Sequence, residues 1–334
     1  MNIKVLNPGL FTTIQDLGRP GFQKYGVVVG GAMDLEALRI ANILVGNKEG
    51  EAAFEITLIG PELMLEKGTL LAITGADISP TIDGRDAPMW RPIYLKEDSL
   101  LKFGPCKSGC RSYLAFAGGF KLKNIMESKS TYIKAGIGGY KGRTLKKDDI
   151  IELENSKEAS IDIIKRISSI SSMNKYIFPK WYVNHIKRTK GKVNGIRVFR
   201  ERQFENFTQE SINEFFKSQF NISVKSDRMG YRLNGVKLNL REPLEMISEP
   251  VYLGTIQVPP DGNPIILLAD RQTIGGYPKI AQIASVDISK IVQLKPNEKV
   301  IFKKISLEEA KILYFKREKS INDIRNALKF KVYR

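Results

Sequence analysis

Residues 254–279 read Gly-Thr-Ile-Gln-Val-Pro-Pro-Asp-Gly-Asn-Pro-Ile-Ile-Leu-Leu-Ala-Asp-Arg-Gln-Thr-Ile-Gly-Gly-Tyr-Pro-Lys and carry the strongest structural signal in the chain. The apolar run at 265–269 follows a Pro-Asp-Gly-Asn-Pro turn, which predicts a short strand buried on both faces. This run ends directly in Asp270, Arg271 and Gln272. Charged groups at the end of a buried strand are costly unless they are paired or used, and the two glycines that follow let a backbone or ligand approach closely. The segment is therefore a candidate binding site; the alternative is an internal Asp–Arg pair that ties the strand to a neighbouring loop.

Further motifs precede this segment in order along the chain. They are Pro-Gly-Leu-Phe-Thr-Thr-Ile-Gln-Asp-Leu-Gly-Arg at 8–19, Gly-Ala-Met-Asp at 31–34, Ala-Asn-Ile-Leu-Val-Gly-Asn at 41–47, Thr-Gly-Ala-Asp at 74–77, Arg-Ser-Tyr-Leu-Ala-Phe-Ala-Gly-Gly at 111–119, Ala-Gly-Ile-Gly-Gly at 135–139, Ser-Asp-Arg-Met-Gly-Tyr-Arg-Leu at 226–233 and Ser-Glu-Pro at 248–250. With residues 254–279 they resemble the biotin-dependent carboxyltransferase or allophanate-hydrolase-subunit-2 family, which includes the KipI antagonist and the C component of bacterial 5-oxoprolinase. The likeness extends over roughly residues 3–303.

The pattern along the chain is mostly one of short strands. Nine-residue units at 95–103, 145–153 and 294–302 each place a polar turn before an apolar strand, and Thr-Ile-Gln occurs at both 13–15 and 255–257. These repeats suggest two related β-barrel domains. The resemblance implies that the barrels are cyclophilin-like, so we expect a mainly β fold with a few short helices.

The chain is longer than one hydrophobic core usually serves, and we predict four parts. They are an N-terminal β-barrel-like domain at 1–155, a basic Ser/Lys-rich linker at 156–192, a C-terminal cyclophilin-like β-barrel domain at 193–305 and a C-terminal helical tail at 306–334. Asp34 is a good N-cap for a helix that ends before Gly46. Capping-box spacing at Ser306 and at Ser320 predicts two short helices or one broken helix in the tail.

Cysteine and histidine are scarce, which excludes several kinds of site. Two cysteines and one histidine are too few for a disulfide framework or a zinc site, so we expect no metal. The histidine, His185, lies far from every Gly-rich segment, which argues against Ser-His-Asp or Cys-His catalysis. No apolar run reaches the ~20 residues of a membrane helix, and the strand-like start at Met1 is not typical of a signal peptide. We therefore expect a cytoplasmic protein with no membrane contact.

The formal net charge is +17, and most of the excess lies in the second half of the chain. In the linker, Tyr176, Phe178, Trp181 and Tyr182 stand among lysines and arginines, a pattern that can bind single-stranded nucleic acid. A solvated linker whose aromatics pack locally more often has this composition, and no nucleic-acid-binding motif accompanies it. We predict no nucleic-acid partner; an anionic substrate or an acidic partner subunit explains the charge equally well.

The candidate site residues come from these motifs. We predict that Asp270, Arg271 and Gln272 are catalytic. The predicted substrate-binding residues are Gln257, Gly275, Gly276, Tyr277, Arg19, Asp77 and Arg228. For the last three a salt bridge or a turn cap is the simpler interpretation, and only the resemblance favours a role in a site. Because 5-oxoproline, urea and biotin all present a planar amide, the site should offer paired donors and acceptors, which residues 257 and 270–272 supply.

The resemblance leaves three functions open. The one we favour is the C component of an ATP-dependent 5-oxoprolinase, an amide hydrolase that converts 5-oxoproline to glutamate. It would act with the B component, which is KipI-like, and the A component, which is LamB/YcsF-like, and it would be inactive alone. The second is the carboxyltransferase subunit of a biotin-dependent urea carboxylase or allophanate-pathway enzyme, and the third is a non-catalytic KipI-antagonist regulator.

The cofactors differ between these functions. ATP would serve the whole 5-oxoprolinase complex, with its binding to this chain open, whereas biotin belongs to the second function. The sequence contains neither a Walker loop nor an Ala-Met-Lys-Met biotin attachment site.

One loop departs from the family pattern. Members usually show Gly-Pro-Gln after a short strand, whereas this chain has Glu-Arg-Gln at 201–203. Only Gln203 remains of that turn, so the sequence leaves open whether the loop binds substrate or a partner.

Overall fold

A computed structural model describes residues 1–170, 173–184 and 194–333, and His185 and part of the predicted linker lie outside these ranges. The fold is mainly β, as predicted, and it forms two compact units. Unit 1 contains residues 1–19, 34–170, 173–184 and 320–333, whereas unit 2 contains residues 20–33 and 194–319. Each unit has its own hydrophobic core.

Unit 1 is built from short strands. They are β1 (Asn2–Asn7), β2 (Phe11–Gln15), β3 (Ala53–Thr57), β4 (Glu62–Leu65), β5 (Leu70–Asp77), β6 (Pro80–Ile82), β7 (Arg85–Asp86), β8 (Pro92–Leu95), β9 (Ser99–Phe103), β10 (Ser108–Phe116), β11 (Ile150–Glu152) and β12 (Tyr176–Ile177). They form two six-stranded sheets, in the orders β11-β1-β4-β9-β6-β7 and β12-β8-β5-β10-β3-β2. The polar turns predicted at 95–103 and 145–153 lead into β9 and β11.

One core cluster joins the two sheets of unit 1. It contains Ile3 and Leu101 from the first sheet and Ile73 and Phe116 from the second, all fully buried. Phe116 packs edge to face on Phe54 with ring centroids 5.9 Å apart. Unit 1 is thus a pair of six-stranded sheets that share one core, and the closed barrel lies in unit 2.

Unit 1 also contains two α-helices within the described residues before 185. In α1 (Leu35–Leu44) the predicted N-cap is confirmed, because the Asp34 carboxylate accepts a hydrogen bond from the Ala37 N–H at 3.1 Å. Helix α2 (Glu158–Ser168) lies inside the predicted linker and packs beyond the end of α1, where the Ser160 hydroxyl donates to the carbonyl of Val45 at 2.7 Å. Residues 158–168 are therefore a structured part of unit 1, because buried Ser160, Ile163 and Ile167 tie them to it.

Unit 2 contains a closed barrel. The strands of unit 2 are β13 (Asn194–Arg200), β14 (Phe220–Ile222), β15 (Gly230–Asn234), β16 (Glu249–Pro250), β17 (Thr255–Gln257), β18 (Ile265–Leu267), β19 (Ile274–Gly275), β20 (Lys279–Ile283) and β21 (Lys299–Lys304). Seven of them close in the order β13-β20-β17-β18-β15-β14-β21, with β13 parallel to β21. The other two, β16 and β19, pair as a separate ribbon. The predicted buried strand at 265–269 is β18 and its continuation.

Aromatic rings fill much of the barrel core. Phe215 stacks on Phe302 with ring centroids 4.5 Å apart, and Phe220 lies 5.8 Å from Phe302. Phe215 belongs to α3 (Gln209–Lys217), whose N-cap Thr208 accepts a hydrogen bond from the N–H of Ser211. The amphipathic α3 therefore covers the barrel with its apolar face.

The C-terminal region is one long helix. Helix α4 (Ile288–Val292) is short, whereas α5 (Leu307–Tyr333) is continuous, and the boundary between the two units falls inside it after Lys319. The capping box at Ser306 is confirmed. The N–H of Glu309 donates to the Ser306 hydroxyl at 3.1 Å, and the N–H of Ser306 donates to the Glu309 carboxylate at 2.7 Å. Ser320 lies inside the helix, which corrects the prediction of two short helices or a broken one. No helix in the described ranges is both long and apolar enough to cross a membrane.

Candidate functional site

Polar side chains meet in unit 2 where β17, the start of β20 and the β16–β19 ribbon come together. Gln257, the last residue of β17, is buried and pairs across the sheet with Lys279, the first residue of β20. A register shift after Ile256 produces this pairing, as expected when a bulge re-aims a side chain. In the ribbon, Glu249 pairs with Gly275. Residues distant in the sequence therefore share one site.

An ion pair links β20 to the ribbon. Lys279 Nζ lies 2.9 Å from Glu249 Oε2 and donates a second hydrogen bond to the carbonyl of Pro250 at 3.0 Å. Arg202 Nη1 lies 3.0 Å from the other carboxylate oxygen. The Lys279 side chain is 8% exposed and that of Glu249 26%, so the ammonium is nearly removed from water while the carboxylate stays partly open. The hydrogen bond from Lys279 lowers the pKa of Glu249, which keeps this carboxylate ionised at neutral pH.

Gln203 connects the atypical loop at 201–203 to the same pair. Its Oε1 accepts from the backbone N–H of Lys279 at 3.3 Å, and its Nε2 donates to Glu249 Oε2 at 3.4 Å. The side chain is buried. The residue that remains of the usual turn thus holds both members of the ion pair.

Two glutamine amides meet at Gly275. Gln257 Nε2 donates to the carbonyl of Tyr277 at 3.1 Å. A methyl group on Gly275 would lie 2.7 Å from Gln257 Nε2 and 3.2 Å from Gln272 Nε2, so a side chain at this position would displace the two amides. Gln257 is buried and Gln272 exposed. Lys279 is paired with Gln257 across the sheet. The two amides and this lysine therefore offer hydrogen-bond donors and acceptors in one region, which suits a planar amide ligand.

Gly276 and Tyr277 lie at the surface of the same turn. The Tyr277 side chain is 43% exposed, and its backbone carbonyl is the group that binds Gln257. A methyl group on Gly276 would lie 3.6 Å from Ser248 Oγ, an ordinary contact. These two residues therefore form the edge of the site.

Asp270 forms a buried ion pair with Arg228. Its Oδ2 lies 2.9 Å from Arg228 Nε, its Oδ1 lies 3.0 Å from Nη2, and the same Nη2 donates to the carbonyl of Gly31 at 2.6 Å. Both side chains are buried. Because this two-point contact occupies both carboxylate oxygens and ties the strand end to the 30–31 loop, it matches the internal pair weighed from the sequence, with Arg228 in place of Arg271. The catalytic role predicted for Asp270 stays a prediction beside this structural one.

Arg271 points its guanidinium at backbone carbonyls. Nε lies 3.4 Å from the carbonyl of Val251, and Nη1 lies 3.3 Å from that of Leu268. Burial lowers the pKa of Arg271 to about 10, so the side chain stays cationic at neutral pH. It lies against the end of β16 and contributes positive charge there.

Arg19 lies in unit 1, where it is fully buried. Its Nη2 donates to the carbonyl of Ser130 at 2.5 Å, and a methyl group on Gly138 would lie 1.9 Å from that same oxygen. The neighbouring Asp16 accepts from the Ser128 hydroxyl at 2.7 Å and from the N–H of Lys129 at 2.6 Å. This network joins the N-terminal motif to the middle of unit 1.

Asp77, also in unit 1, caps a turn. Its carboxylate accepts the N–H of Ser79 at 3.0 Å, and its backbone carbonyl accepts the N–H of Lys107 at 2.8 Å. The turn cap is the simpler interpretation named from the sequence. Arg19 and Asp77 thus belong to two different hydrogen-bond networks of unit 1.

The cluster around Gly275 can orient an amide and stabilise negative charge. Gln257 and Gln272 offer donors and acceptors, and Lys279 offers a cation with little exposure to water. In the described ranges, no group of three His, Cys, Asp or Glu side chains is placed to hold a metal ion.

Comparison with known proteins identifies the family. The family model described as carboxyltransferase domain, subdomain A and B, matches residues 25–304. The chain belongs to this carboxyltransferase family. It is 33% identical over 329 residues to the C component of 5-oxoprolinase of Haemophilus influenzae, covering 97% of both chains. It is 36% identical over 312 residues to the C component of 5-oxoprolinase of Escherichia coli, covering 92% of this chain and 93% of that one. The crystal structure of the K. lactis urea amidolyase superposes with a TM-score of 0.85 at 30% identity over 97% of this chain and 20% of the amidolyase.

Sequence reasoning overlooked two residues of the site. Glu249 and Lys279 both stand in motifs that resemble the carboxyltransferase family, yet neither was singled out. Lys279 directly precedes the apolar Ile280-Ala281 and is the only charged residue at the start of that strand, which is the signal that it faces a polar partner. The pairing itself depends on the ribbon register, which the sequence does not display.

Proposed function

We propose that the chain is the C component of an ATP-dependent 5-oxoprolinase, which opens the lactam of 5-oxoproline to glutamate together with the KipI-like B component and the LamB/YcsF-like A component. Two relatives that carry the name of this 5-oxoprolinase component match over more than nine-tenths of both chains, which supports the assignment. The observation that carries it in the structure is the set of amides and one shielded cation around Gly275.

The site fits the chemistry of a lactam. The ring amide presents one N–H donor and one carbonyl acceptor, which the amides of Gln257 and Gln272 can meet. When ATP transfers a phosphoryl group to the carbonyl oxygen of the ring and water then adds to the carbon, that oxygen and its phosphoryl group carry negative charge until the C–N bond breaks and phosphate leaves. Lys279, which is nearly removed from water, is the group we assign to stabilise that charge, since such interactions are strongest where water is excluded. Glu249 and Gln203 hold Lys279 in place.

ATP belongs to the complex in this proposal. Phosphoryl transfer to the amide oxygen would activate a lactam that hydrolyses slowly by itself. We assign ATP binding to the other two components, because this chain lacks a nucleotide-binding motif, and we place the complex in the cytoplasm.

Reconstitution tests this function. The purified chain, the KipI-like component and the LamB/YcsF-like component should together convert 5-oxoproline, ATP and water to glutamate, ADP and phosphate, whereas the chain alone should form no glutamate. Steady ATP-dependent glutamate formation by the pure chain, or inactivity of all three components after they assemble, would contradict the proposal.

A biotin-dependent carboxyltransferase is the second candidate. The urea amidolyase superposition over 97% of this chain favours it. Avidin separates the two functions, because it sequesters biotin. Activity that avidin abolishes, with urea as substrate, would favour carboxyl transfer over lactam hydrolysis.

A further inference from the structure

Large apolar side chains are exposed on the ribbon beside the candidate site. Ile247 is 90% exposed, Tyr252 64%, Ile274 52% and Tyr277 43%. We call these four side chains the ribbon surface. Single exposed apolar residues are normal, but several together mark a surface that another molecule covers.

The four side chains belong to one region of unit 2. Pro250 pairs with Ile274 across the ribbon, which brings the segment between Ile247 and Tyr252 against β19. The N–H of Val251 donates to the carbonyl of Thr273 at 3.2 Å, which continues this contact. The ribbon surface therefore adjoins Glu249 and Gly275, the ribbon residues of the candidate site.

The ribbon itself gains little stability from its own pairing. β16 and β19 contribute two residues each, and within the described part of the chain they pair only with each other. A two-stranded ribbon is marginal in water unless something packs on it. A partner that covers the ribbon surface would supply that packing.

Charge on this part of the chain is opposite to the rest. No lysine occurs between Lys237 and Lys279, and residues 241–278 contain five carboxylates against two arginines, although the whole chain carries +17. Glu242 and Glu245, on the loop that leads into the ribbon, are exposed. Protein interfaces are depleted in lysine and enriched in tyrosine, and their rim is polar, so the apolar side chains fit the centre of a docking face and the exposed Glu242 and Glu245 fit its rim.

We propose that the ribbon surface is the docking face for the KipI-like component of 5-oxoprolinase, through an apolar patch of that component flanked by basic side chains. This inference rests on the proposed function. Glu249 is partly open to solvent and Gln272 is exposed, so a component seated on the ribbon would shut water out of the lactam site. A second copy of this chain is the less favourable occupant, because a symmetric dimer on this face would set Glu242 and Glu245 of one copy against those of the other.

Substitutions on the ribbon surface test the docking face. Ile247→Asp and Tyr252→Asp, each in the full-length chain, should weaken binding of the purified KipI-like component by about tenfold or more in calorimetry. The double charge reversal Glu242→Lys and Glu245→Lys should also weaken it and should slow association most at low salt. Val224→Asp is the matched control: Val224 is 69% exposed in a turn of the same unit, and this variant should bind like the wild type.

Each result separates this inference from the function on which it rests. Wild-type affinity of both Ile247→Asp and Tyr252→Asp for the KipI-like component overturns the docking face. Self-association of the wild-type chain that Ile247→Asp abolishes, measured by light scattering of this chain alone, also overturns it, because the occupant is then a second copy. If the ribbon variants lose the KipI-like component but the assembled wild type does not hydrolyse 5-oxoproline, the docking face stands and the proposed function fails.

Discussion

Two of the carboxylate–cation pairs of unit 2, Arg228–Asp270 and Lys279–Glu249, have the same closest distance and different surroundings. Arg228 and Asp270 approach to 2.9 Å with side chains 9% and 11% exposed, and a two-point contact satisfies the carboxylate. Lys279 and Glu249 also approach to 2.9 Å, but Glu249 is 26% exposed and the Gln203 amide hydrogen-bonds to both residues. Distance alone therefore does not distinguish a structural pair from one suited to chemistry. The neighbouring groups and the access of water do.

The largest effect should come from breaking the buried pair. Asp270→Asn leaves the Arg228 guanidinium buried without a counter-charge, so we expect the free energy of unfolding to fall by roughly 3 to 5 kcal/mol. Denaturant unfolding measures this loss. Asp261→Asn, in an exposed turn, is the control and should change stability by about 0.5 kcal/mol or less. If Asp270→Asn instead keeps normal stability but inactivates the complex, Asp270 is catalytic, and the Arg228–Asp270 pair is not mainly structural.

The second effect should appear in activity. Lys279→Met removes the shielded cation but leaves Glu249 paired with Arg202, so the melting temperature should change little. The kcat of the assembled complex should fall by roughly 100-fold or more, as expected when a group that stabilises developing charge is lost. Lys237→Met, at an exposed position, should leave kcat unchanged. If the melting temperature of Lys279→Met falls as far as that of Asp270→Asn, the Lys279–Glu249 pair also serves mainly to stabilise the fold.

A smaller effect is expected from the packing around Gly275. Gly275→Ala puts a methyl group 2.7 Å from Gln257 Nε2, and such overpacking costs about 1 to 3 kcal/mol. Gly276→Ala is a close control, since its methyl group would meet atoms no nearer than 3.6 Å. Thermal unfolding of the two variants, with the KM of the complex for 5-oxoproline, measures the difference. Equal behaviour of both variants would show that the amides move aside freely and do not form a fixed site.

The smallest effect concerns pH. The hydrogen bond from Lys279 lowers the pKa of Glu249, so the folded protein binds a proton there less readily than the unfolded chain. The stabilisation is therefore complete above the pKa of an ordinary glutamate and is lost as pH falls through the lower, folded value. Carboxylate NMR titration should place Glu249 below the usual glutamate range and should show its pKa rising in Lys279→Met. No rise would mean that Lys279 contributes little to the pair.

The sequence predicted the fold class and the barrel strands because turn residues and apolar runs are local signals. Gln257 and the glycines at 275–276 were placed in one region because they are close in the chain. The partner of Asp270 was not predictable, since Arg228 lies 42 positions earlier and the adjacent Arg271 points at backbone carbonyls instead. The pairing of Lys279 with Glu249, 30 positions apart, follows from the ribbon register and the shift after Ile256. Such pairings depend on tertiary geometry, which local patterns do not record.

The parallel pairing of β13 with β21 closes the barrel and sets the order in which the chain can fold during synthesis. The two strands pair from Asn194 opposite Val300 to Val198 opposite Lys304, so β13 emerges from the ribosome about 100 residues before its neighbour. At about 5–20 residues per second it waits on the order of 5 to 20 s with an unpaired edge. Residues 320–333, which belong to unit 1, are made later still. Neither unit can finish folding early, so we expect the nascent chain to need protection from aggregation until nearly all of it has been translated.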